Sequence, residues 1–292
     1  MSVHLLQSRL AAYACGSAIE EEQALREITQ EIVLAALGRT NFFGKVGFHG
    51  GTCLRIFHGL NRFSEDLDFA LNATDPGFNL LPYLDPVCTE LTAYGYAFEV
   101  EDRSKSGQTV RKAFLKDDSV GKILRLNYRP GSGPLRKLRV KLEVDTRPPE
   151  GTRYDMRVLD YPFPSAVRTF DLPSLFAGKM HALLCRGYVK GRDWYDFIWY
   201  TAHRVTLNHR LLSAALRQQG PWKDSDLETD DAWCREQLAA VIESLDIKSA
   251  REDVRRFLRP NELPSLELWT RDLFLQQCQK MTTADSRRDY RR

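Results

Sequence analysis

Apolar and polar positions alternate with two different periods in the first third of the chain. Apolar residues recur at helical spacing over residues 18–37, which predicts a long amphipathic helix. Short apolar runs at 45–48 and 67–71 predict two strands. Gly50, Gly51 and Thr52 predict a turn after the first strand, followed by a short helix over residues 53–58.

Farther along the chain, the spacing of apolar residues changes twice, from helical to alternating and back to helical. A helix is predicted over residues 80–94, and strands are predicted over 96–101, 110–115, 122–128 and 138–145. In the last strand, four apolar residues alternate with Arg139, Lys141, Glu143 and Asp145, so one face should be buried and the other wet or functional. After Asp171, which suits a helix cap, the pattern is helical, with segments at 194–203, 210–218, 231–245, 250–258 and 265–278.

These elements predict an α+β protein. Its amino-terminal domain, residues 1–165, should hold a mixed sheet with flanking helices. Residues 166–282 should form a helical domain, and residues 283–292 a loose charged tail.

Composition narrows the class of protein. The chain has 292 residues, of which 43% are hydrophobic, so overall disorder is excluded. Lys and Arg number 42 against 39 Asp and Glu, so net charge alone does not indicate nucleic-acid binding. Six cysteines lack any CxxC spacing, which favours unlinked thiols over a zinc site. Without a signal-like start or a long apolar run, we expect a cytoplasmic protein.

Two carboxylates are the first candidates for chemistry. Asp66 and Asp68 are two residues apart on a predicted strand, so their side chains leave the same face. They repel each other unless a cation lies between them, and Mg²⁺ prefers such oxygen ligands. An isolated pair of this kind is more often simply solvated, so the pair needs support from its neighbours.

The glycine turn supplies some of that support. Two glycines at a strand-to-helix turn let the backbone approach a phosphate, and a helix amino terminus offers free N–H groups to an anion. The alternative is an ordinary tight turn. Asp145 ends the alternating strand on its polar face and could be a third acidic ligand. Three acids and a phosphate-binding turn fit two-metal phosphoryl chemistry.

The order of these motifs resembles AbiEii/MenT-type toxins, of the DNA polymerase β-like nucleotidyltransferase superfamily. The resemblance runs from about residue 45 to 200. It rests on His49-Gly50-Gly51-Thr52, the segment Arg62 to Phe69, Lys141 to Asp145, Leu175 to Leu184, and Arg192-Asp193-Trp194-Tyr195-Asp196.

The resemblance implies roles for particular residues. Asp66 and Asp68 would hold Mg²⁺ or Mn²⁺, with Asp145 as a third ligand. Gly51 and Thr52 would bind the triphosphate of an NTP, with Arg55 and Ser64 as further nucleotide-binding candidates. Lys179 would neutralise phosphate charge, and Asp193 would either activate the attacking hydroxyl or fix Lys179. Arg55, Arg62, Lys190 and Arg192 could reach phosphates, although ordinary salt bridges are an equal alternative.

A basic run bears on the acceptor. Seven Lys and Arg and no acid lie in residues 122–141, among them Arg136, Lys137 and Arg139. Such a run could follow an RNA backbone, or it could be a solvated strand surface.

The expected function is therefore nucleotidyl transfer from an NTP to RNA. By resemblance, the acceptor would be the 3′ end of tRNA, and the chain a bacterial toxin with a cognate antitoxin, monomeric when free. Two alternatives remain open: a protein or small molecule as acceptor, or a catalytically silent binding module with the same fold.

Overall fold

The computed structural model describes residues 2–104, 109–117 and 138–281. In this part of the chain, eleven α-helices and one 3₁₀ helix accompany a seven-stranded sheet. The helices are α1 Ser2–Ala12, α2 Ala18–Gly38, α3 Phe42–Lys45, α4 Gly50–His58, α5 Leu81–Ala93, α6 Leu172–Cys185, α7 Gly191–Ala202, α8 His209–Gln218, α9 Asp231–Glu243, α10 Ile247–Arg255, 3₁₀ Pro260–Leu268 and α11 Arg271–Gln279. The strands are β1 Val46–His49, β2 Asp66–Leu71, β3 Glu99–Asp102, β4 Val110–Asp117, β5 Leu138–Asp145, β6 Tyr154–Leu159 and β7 Ser165–Phe170.

The sheet is mixed, as the sequence predicted. Its strand order is β3-β4-β5-β2-β1-β7-β6, so the strand that carries the two candidate aspartates lies at its centre. β2 pairs parallel with β5 and antiparallel with β1. On β5, Leu138, Val140, Leu142 and Val144 are all buried, and α2 packs against this strand and against α5. The predicted α+β class is confirmed.

The chain divides into two compact units. The first comprises residues 1–59, 63–148 and 155–169, and the second comprises 60–62, 149–154 and 170–292. Within the second unit the predicted helix cap is confirmed: the Asp171 side chain accepts a hydrogen bond from the Ser174 N–H and caps α6. Each unit is made of several segments along the sequence, whereas the sequence suggested a single domain boundary after residue 165.

The structure corrects four local predictions. Helix α1 was missed, as were β6 and β7, whose short alternating patterns are weak in the sequence. The glycines at 50 and 51 open α4 instead of forming a turn before it. The predicted helix over 265–278 is broken, because Thr270 caps a new helix after the 3₁₀ segment. The predicted strand over 122–128 and the tail lie outside the described residues.

Candidate active site

Asp66 and Asp68 lie on one face of β2, as predicted from their spacing. Both are half-buried, whereas Leu67 and Phe69 between and after them are buried on the opposite face. The parallel register places Asp66 opposite Lys141 and Asp68 opposite Glu143. Because paired residues on neighbouring strands share a face, these four charged side chains form one polar surface at the centre of the sheet.

Glu143 is the acid directly opposite Asp68. From the sequence alone, no function was predicted for Glu143. The predicted third acid, Asp145, is one alternating position farther along β5, opposite Ala70. Its carboxylate accepts a hydrogen bond from the Arg147 N–H at 2.9 Å. Alternation in the sequence already put both acids on the polar face, but only strand register shows which of them lies nearest the aspartates.

Lys141 lies among these acids. Its Nζ is 2.6 Å from Glu143 Oε2 and 3.8 Å from Asp66 Oδ2, while Lys112 Nζ is 2.8 Å from Glu143 Oε1. Burial and the neighbouring Asp68 charge raise the pKa of Asp66. Burial alone would lower the pKa of Lys141, but its bond to Glu143 and the charge of Asp66 outweigh burial and raise it. The acidic face therefore attracts a cation, and in this structure the cation is the ammonium group of Lys141.

Gly50 is packed against the second aspartate. Its φ is +79°, in the left-handed region, and a Cβ added there would lie 2.5 Å from Asp68 Oδ2. Both facts require glycine at this position, so the strand-to-helix connection brings the backbone against the carboxylate. The sequence had singled out Gly51, the next residue of α4, whose N–H belongs to the first turn of that helix.

Three predicted nucleotide contacts have other partners in this structure. The Thr52 hydroxyl is buried and donates to the Asp66 carbonyl, so it ties α4 to β2. Arg55 forms an ion pair with Glu27, and its guanidinium lies 4.2 Å from the Phe63 ring centroid. The half-buried Ser64 accepts a hydrogen bond from Gln30 through its carbonyl. The role of Thr52 in triphosphate binding stays a prediction, and for Arg55 the salt-bridge alternative is the one observed.

The second unit contains a buried ion cluster of its own. Lys179 Nζ lies 2.7 Å from Asp193 Oδ1 and 2.8 Å from Asp196 Oδ2. The Arg62 guanidinium donates two 2.6 Å bonds to the two oxygens of Asp196. Arg186 Nε donates to Asp193 Oδ2 at 3.0 Å. Lys179 and the two aspartates of the 192–196 motif thus form one network. Arg62 belongs to it through its salt bridge with Asp196, so for Arg62 the salt-bridge alternative is the one observed.

The charges in this network fix its protonation. Burial alone would raise the pKa of Asp193, but Lys179 and Arg186 overcome it and lower the pKa to about 2. Burial would likewise lower the pKa of Lys179, and the two aspartates overcome it and raise it. Asp193 is therefore an ionised, weakly basic carboxylate, a poor choice for removing a proton from a hydroxyl.

Of the predicted RNA-binding residues, only Arg139 lies within the described part of the chain. It is exposed on β5, and its guanidinium is 3.7 Å from the Phe114 ring centroid. Arg136 and Lys137 lie outside the described residues.

Among the described residues, no group of three or more His, Cys, Asp or Glu side chains is arranged to hold a metal ion. This includes the acids of β2 and β5 as they stand here, with the ammonium of Lys141 among them. The six cysteines are free thiols. No helix in the ranges described is long and apolar enough to cross a membrane.

The geometry thus places a pair of aspartates at the centre of a mixed sheet, with the backbone of a glycine against one of them. Residues 32–277 match the AbiEii nucleotidyl transferase toxin family, which is described as a Type IV toxin–antitoxin system. The chain belongs to this family, and membership supports nucleotidyltransferase activity in a toxin.

Solved structures show the same fold. A candidate nucleotidyltransferase from H. pylori has a TM-score of 0.50 at 16% identity, covering 88% of this chain and 96% of its own. JHP933 from Helicobacter pylori has a TM-score of 0.50 at 16% identity, covering 89% of this chain and 90% of its own. No curated protein sequence matches the chain.

Proposed function

We propose that this chain transfers a nucleoside monophosphate from an NTP to RNA, with the 3′ end of tRNA as acceptor, and thereby blocks translation. The observation that carries the proposal is the acidic face of β2 and β5, where Asp66, Asp68 and Glu143 lie beside the backbone of Gly50. Carboxylates brought together at the start of a helix suit phosphoryl transfer, in which charge builds on phosphate oxygens.

Divalent metal fits this face by the chemistry of its donors. All three acids offer hard oxygens, the pKa of Asp66 is raised partly by Asp68, and an ammonium already lies between Asp66 and Glu143. We propose that Asp66 and Asp68 hold Mg²⁺ or Mn²⁺ and that Glu143, instead of Asp145, is the third acid. When bound, the metal would supply charge neutralisation for the phosphates and activation of the attacking oxygen.

The chain's own groups have separate tasks in this proposal. Gly50 lets the backbone approach Asp68, and Thr52 fixes β2 through the Asp66 carbonyl, so the carboxylates are held in place before substrate arrives. The Gly51 N–H, at the start of α4, is free of helical partners by position and is proposed as a phosphate donor. Lys141 keeps the acids partly neutralised until a metal ion replaces its charge.

Lys179 is proposed as the cation that neutralises phosphate charge, as the resemblance implies. Its side chain is 14% exposed, so its ammonium is mostly withdrawn from water, where an electrostatic contact is strong. Asp193 and Asp196 hold it charged and in position. Because Asp193 is a weak base, we assign it to fixing Lys179, one of the two roles left open by the sequence.

The toxin assignment implies a cognate antitoxin encoded with this chain, and we propose that the free toxin is a monomer. RNA is preferred over a protein or small-molecule acceptor because of the basic run at residues 122–141 and the exposed Arg139.

The test is transfer of radiolabel. Purified protein with Mg²⁺ is incubated with each α-labelled NTP in turn, and with tRNA, other RNA or an RNA-free protein extract. The proposal predicts label at the tRNA 3′ end with at least one NTP. Label in protein alone, or in none of the acceptors, would contradict it.

A further inference from the structure

The second unit contains a cleft at the edge of the buried ion cluster. Its volume is about 240 Å³, and it lies at the loop between α6 and α7, closed on one side by the end of α9. Arg186, Tyr188, Lys190 and Asp193 supply its polar wall, and Val189 and Leu245 are among its apolar residues. The cleft therefore combines charge with apolar surface, which is the usual composition of a ligand site.

Lys190 is a cation of this cleft whose charge is compensated only in part. Its ammonium makes no hydrogen bond or ion pair with the residues that the structure describes. Burial lowers its pKa, and Asp193 offsets this only in part because Arg192 and Arg186 also lower it. A half-buried cation beside other cations is unfavourable until an anion joins it.

The neighbouring charges leave a positive excess. Four cationic side chains surround two carboxylates, Asp193 and Asp196, and the cations are Arg62, Lys179, Arg186 and Lys190. The guanidinium of Arg186 is already bonded to Asp193, and that of Arg62 to Asp196. The cations exceed the carboxylates by two charges, and Lys190, at the wall of the cleft, is the one of the four without an ion pair to either carboxylate.

Tyr188 adds an aromatic surface next to that charge. It is 64% exposed, so much of its ring is open to solvent. Arg186 holds it, since its Nη1 donates to the Tyr188 hydroxyl and its guanidinium carbon is 5.0 Å from the ring centroid. A ring that is fixed and yet exposed can stack on a nucleobase without much loss of side-chain freedom.

We propose that this cleft binds the end of the RNA acceptor, with one phosphodiester at Lys190 and an adjacent base on Tyr188. The inference rests on the proposed function and names the site of its acceptor. A single partly compensated ammonium matches the one charge of a phosphodiester. The triphosphate of an NTP carries several negative charges and would need more unpaired cations than the cleft contains.

The test measures RNA binding without turnover. The probe is a fluorescently labelled single-stranded oligoribonucleotide ending in CCA, titrated with full-length protein over a salt series in the absence of NTP. The variants are Lys190→Gln and Tyr188→Leu, with Lys248→Gln as a matched control, because Lys248 is an exposed lysine of the same unit outside the cleft. Thermal unfolding checks that each variant folds.

Lys190→Gln should weaken binding about 5- to 10-fold and reduce the salt slope by about 0.7, the value for one phosphate contact on a single strand. Tyr188→Leu should weaken binding about 10-fold with an unchanged slope, because stacking releases no counterions. Lys248→Gln should bind like the wild type.

Two results would overturn the assignment. Unchanged affinity and slope in Lys190→Gln would show that the cleft binds no RNA phosphate. Unchanged RNA affinity together with weaker binding of an NTP, titrated separately without RNA, would assign the phosphate to the donor. The binding result is independent of catalysis, so a failure of label transfer with the predicted binding pattern would count against the proposed function and not against the cleft.

Discussion

Glu143 on β5 stands directly opposite Asp68 on β2, and through Lys141 it is also connected to Asp66. The parallel register of the two strands creates this arrangement, because Asp68 and Glu143 are 75 positions apart in the sequence and have no local reason to meet. The pairing places Glu143 opposite Asp68 and Asp145 opposite Ala70, and we propose Glu143 as the third acid of the site.

The first prediction compares the two acids of β5. Glu143→Gln should lower nucleotidyl transfer by at least about 10- to 100-fold, the range typical of losing support around a metal site. Asp145→Asn should stay within a few-fold of wild type, because its carboxylate bonds to the local backbone at Arg147. Initial rates at saturating NTP and varied Mg²⁺ measure both. The reverse ranking would return the third-acid role to Asp145.

A second prediction isolates the close approach at Gly50. Gly50→Ala places a Cβ 2.5 Å from Asp68 Oδ2 and should displace that carboxylate, costing about 100-fold in transfer. Gly59→Ala is the matched control: Gly59 also has a left-handed φ, +74°, but an added Cβ meets nothing within 4 Å. Both variants should lose about 1 kcal/mol of unfolding free energy from backbone strain. If both lose activity equally, the contact with Asp68 is unimportant.

The third prediction concerns stability of the ion cluster. Lys179→Met removes a partner from both Asp193 and Asp196, and breaking buried ion pairs is strongly destabilising. Because each aspartate keeps one arginine, we expect a loss of about 3 kcal/mol, near the lower end of the usual range. Lys248→Met, at an exposed lysine, should change little. Urea unfolding measures the difference. A variant as stable as wild type would show that the cluster is not a structural unit.

The fourth prediction follows from the lowered pKa of Asp193. Its ordinary pKa is 3.8 and its folded pKa is about 2, so its ionised form stabilises the fold above pH 3.8. That contribution, about 2 kcal/mol, should be lost as pH falls from about 4 to 2. The unfolding free energies of wild type and Asp193→Asn should therefore converge across this interval. A difference that stays constant with pH would contradict the assigned charge state.

Local patterns in the sequence predicted much of the fold. The alternation from Leu138 to Asp145 indicated both the strand and its polar face, and the Asp171 cap correctly marked the start of α6. β6 and β7 were not predicted, because both strands are short and the burial of their residues depends on neighbouring strands in the sheet. The break before α11 depends on Thr270, whose capping role is hidden within a continuous helical pattern.

The candidate site was predictable where spacing alone fixes geometry, as for Asp66 and Asp68. It was not predictable where the geometry depends on strand register or on which partner a side chain bonds. Glu143 needed the alignment of β5 on β2, and the Thr52 hydroxyl and Arg55 guanidinium turned out to be bonded to Asp66 and Glu27. Long-range pairing of this kind leaves no periodic signal in one sequence.

The central claim is that the carboxylates of β2 carry nucleotidyl transfer, and one comparison tests it most directly. Transfer of α-labelled NMP to tRNA is measured for wild type, Asp66→Asn and Asp85→Asn, where Asp85 is an exposed acid of the same unit. Asp66→Asn removes a repelled charge and no packing, so it should fold as well as wild type and transfer no detectable label. Asp85→Asn should match wild type. Transfer by folded Asp66→Asn within a few-fold of wild type would contradict the account.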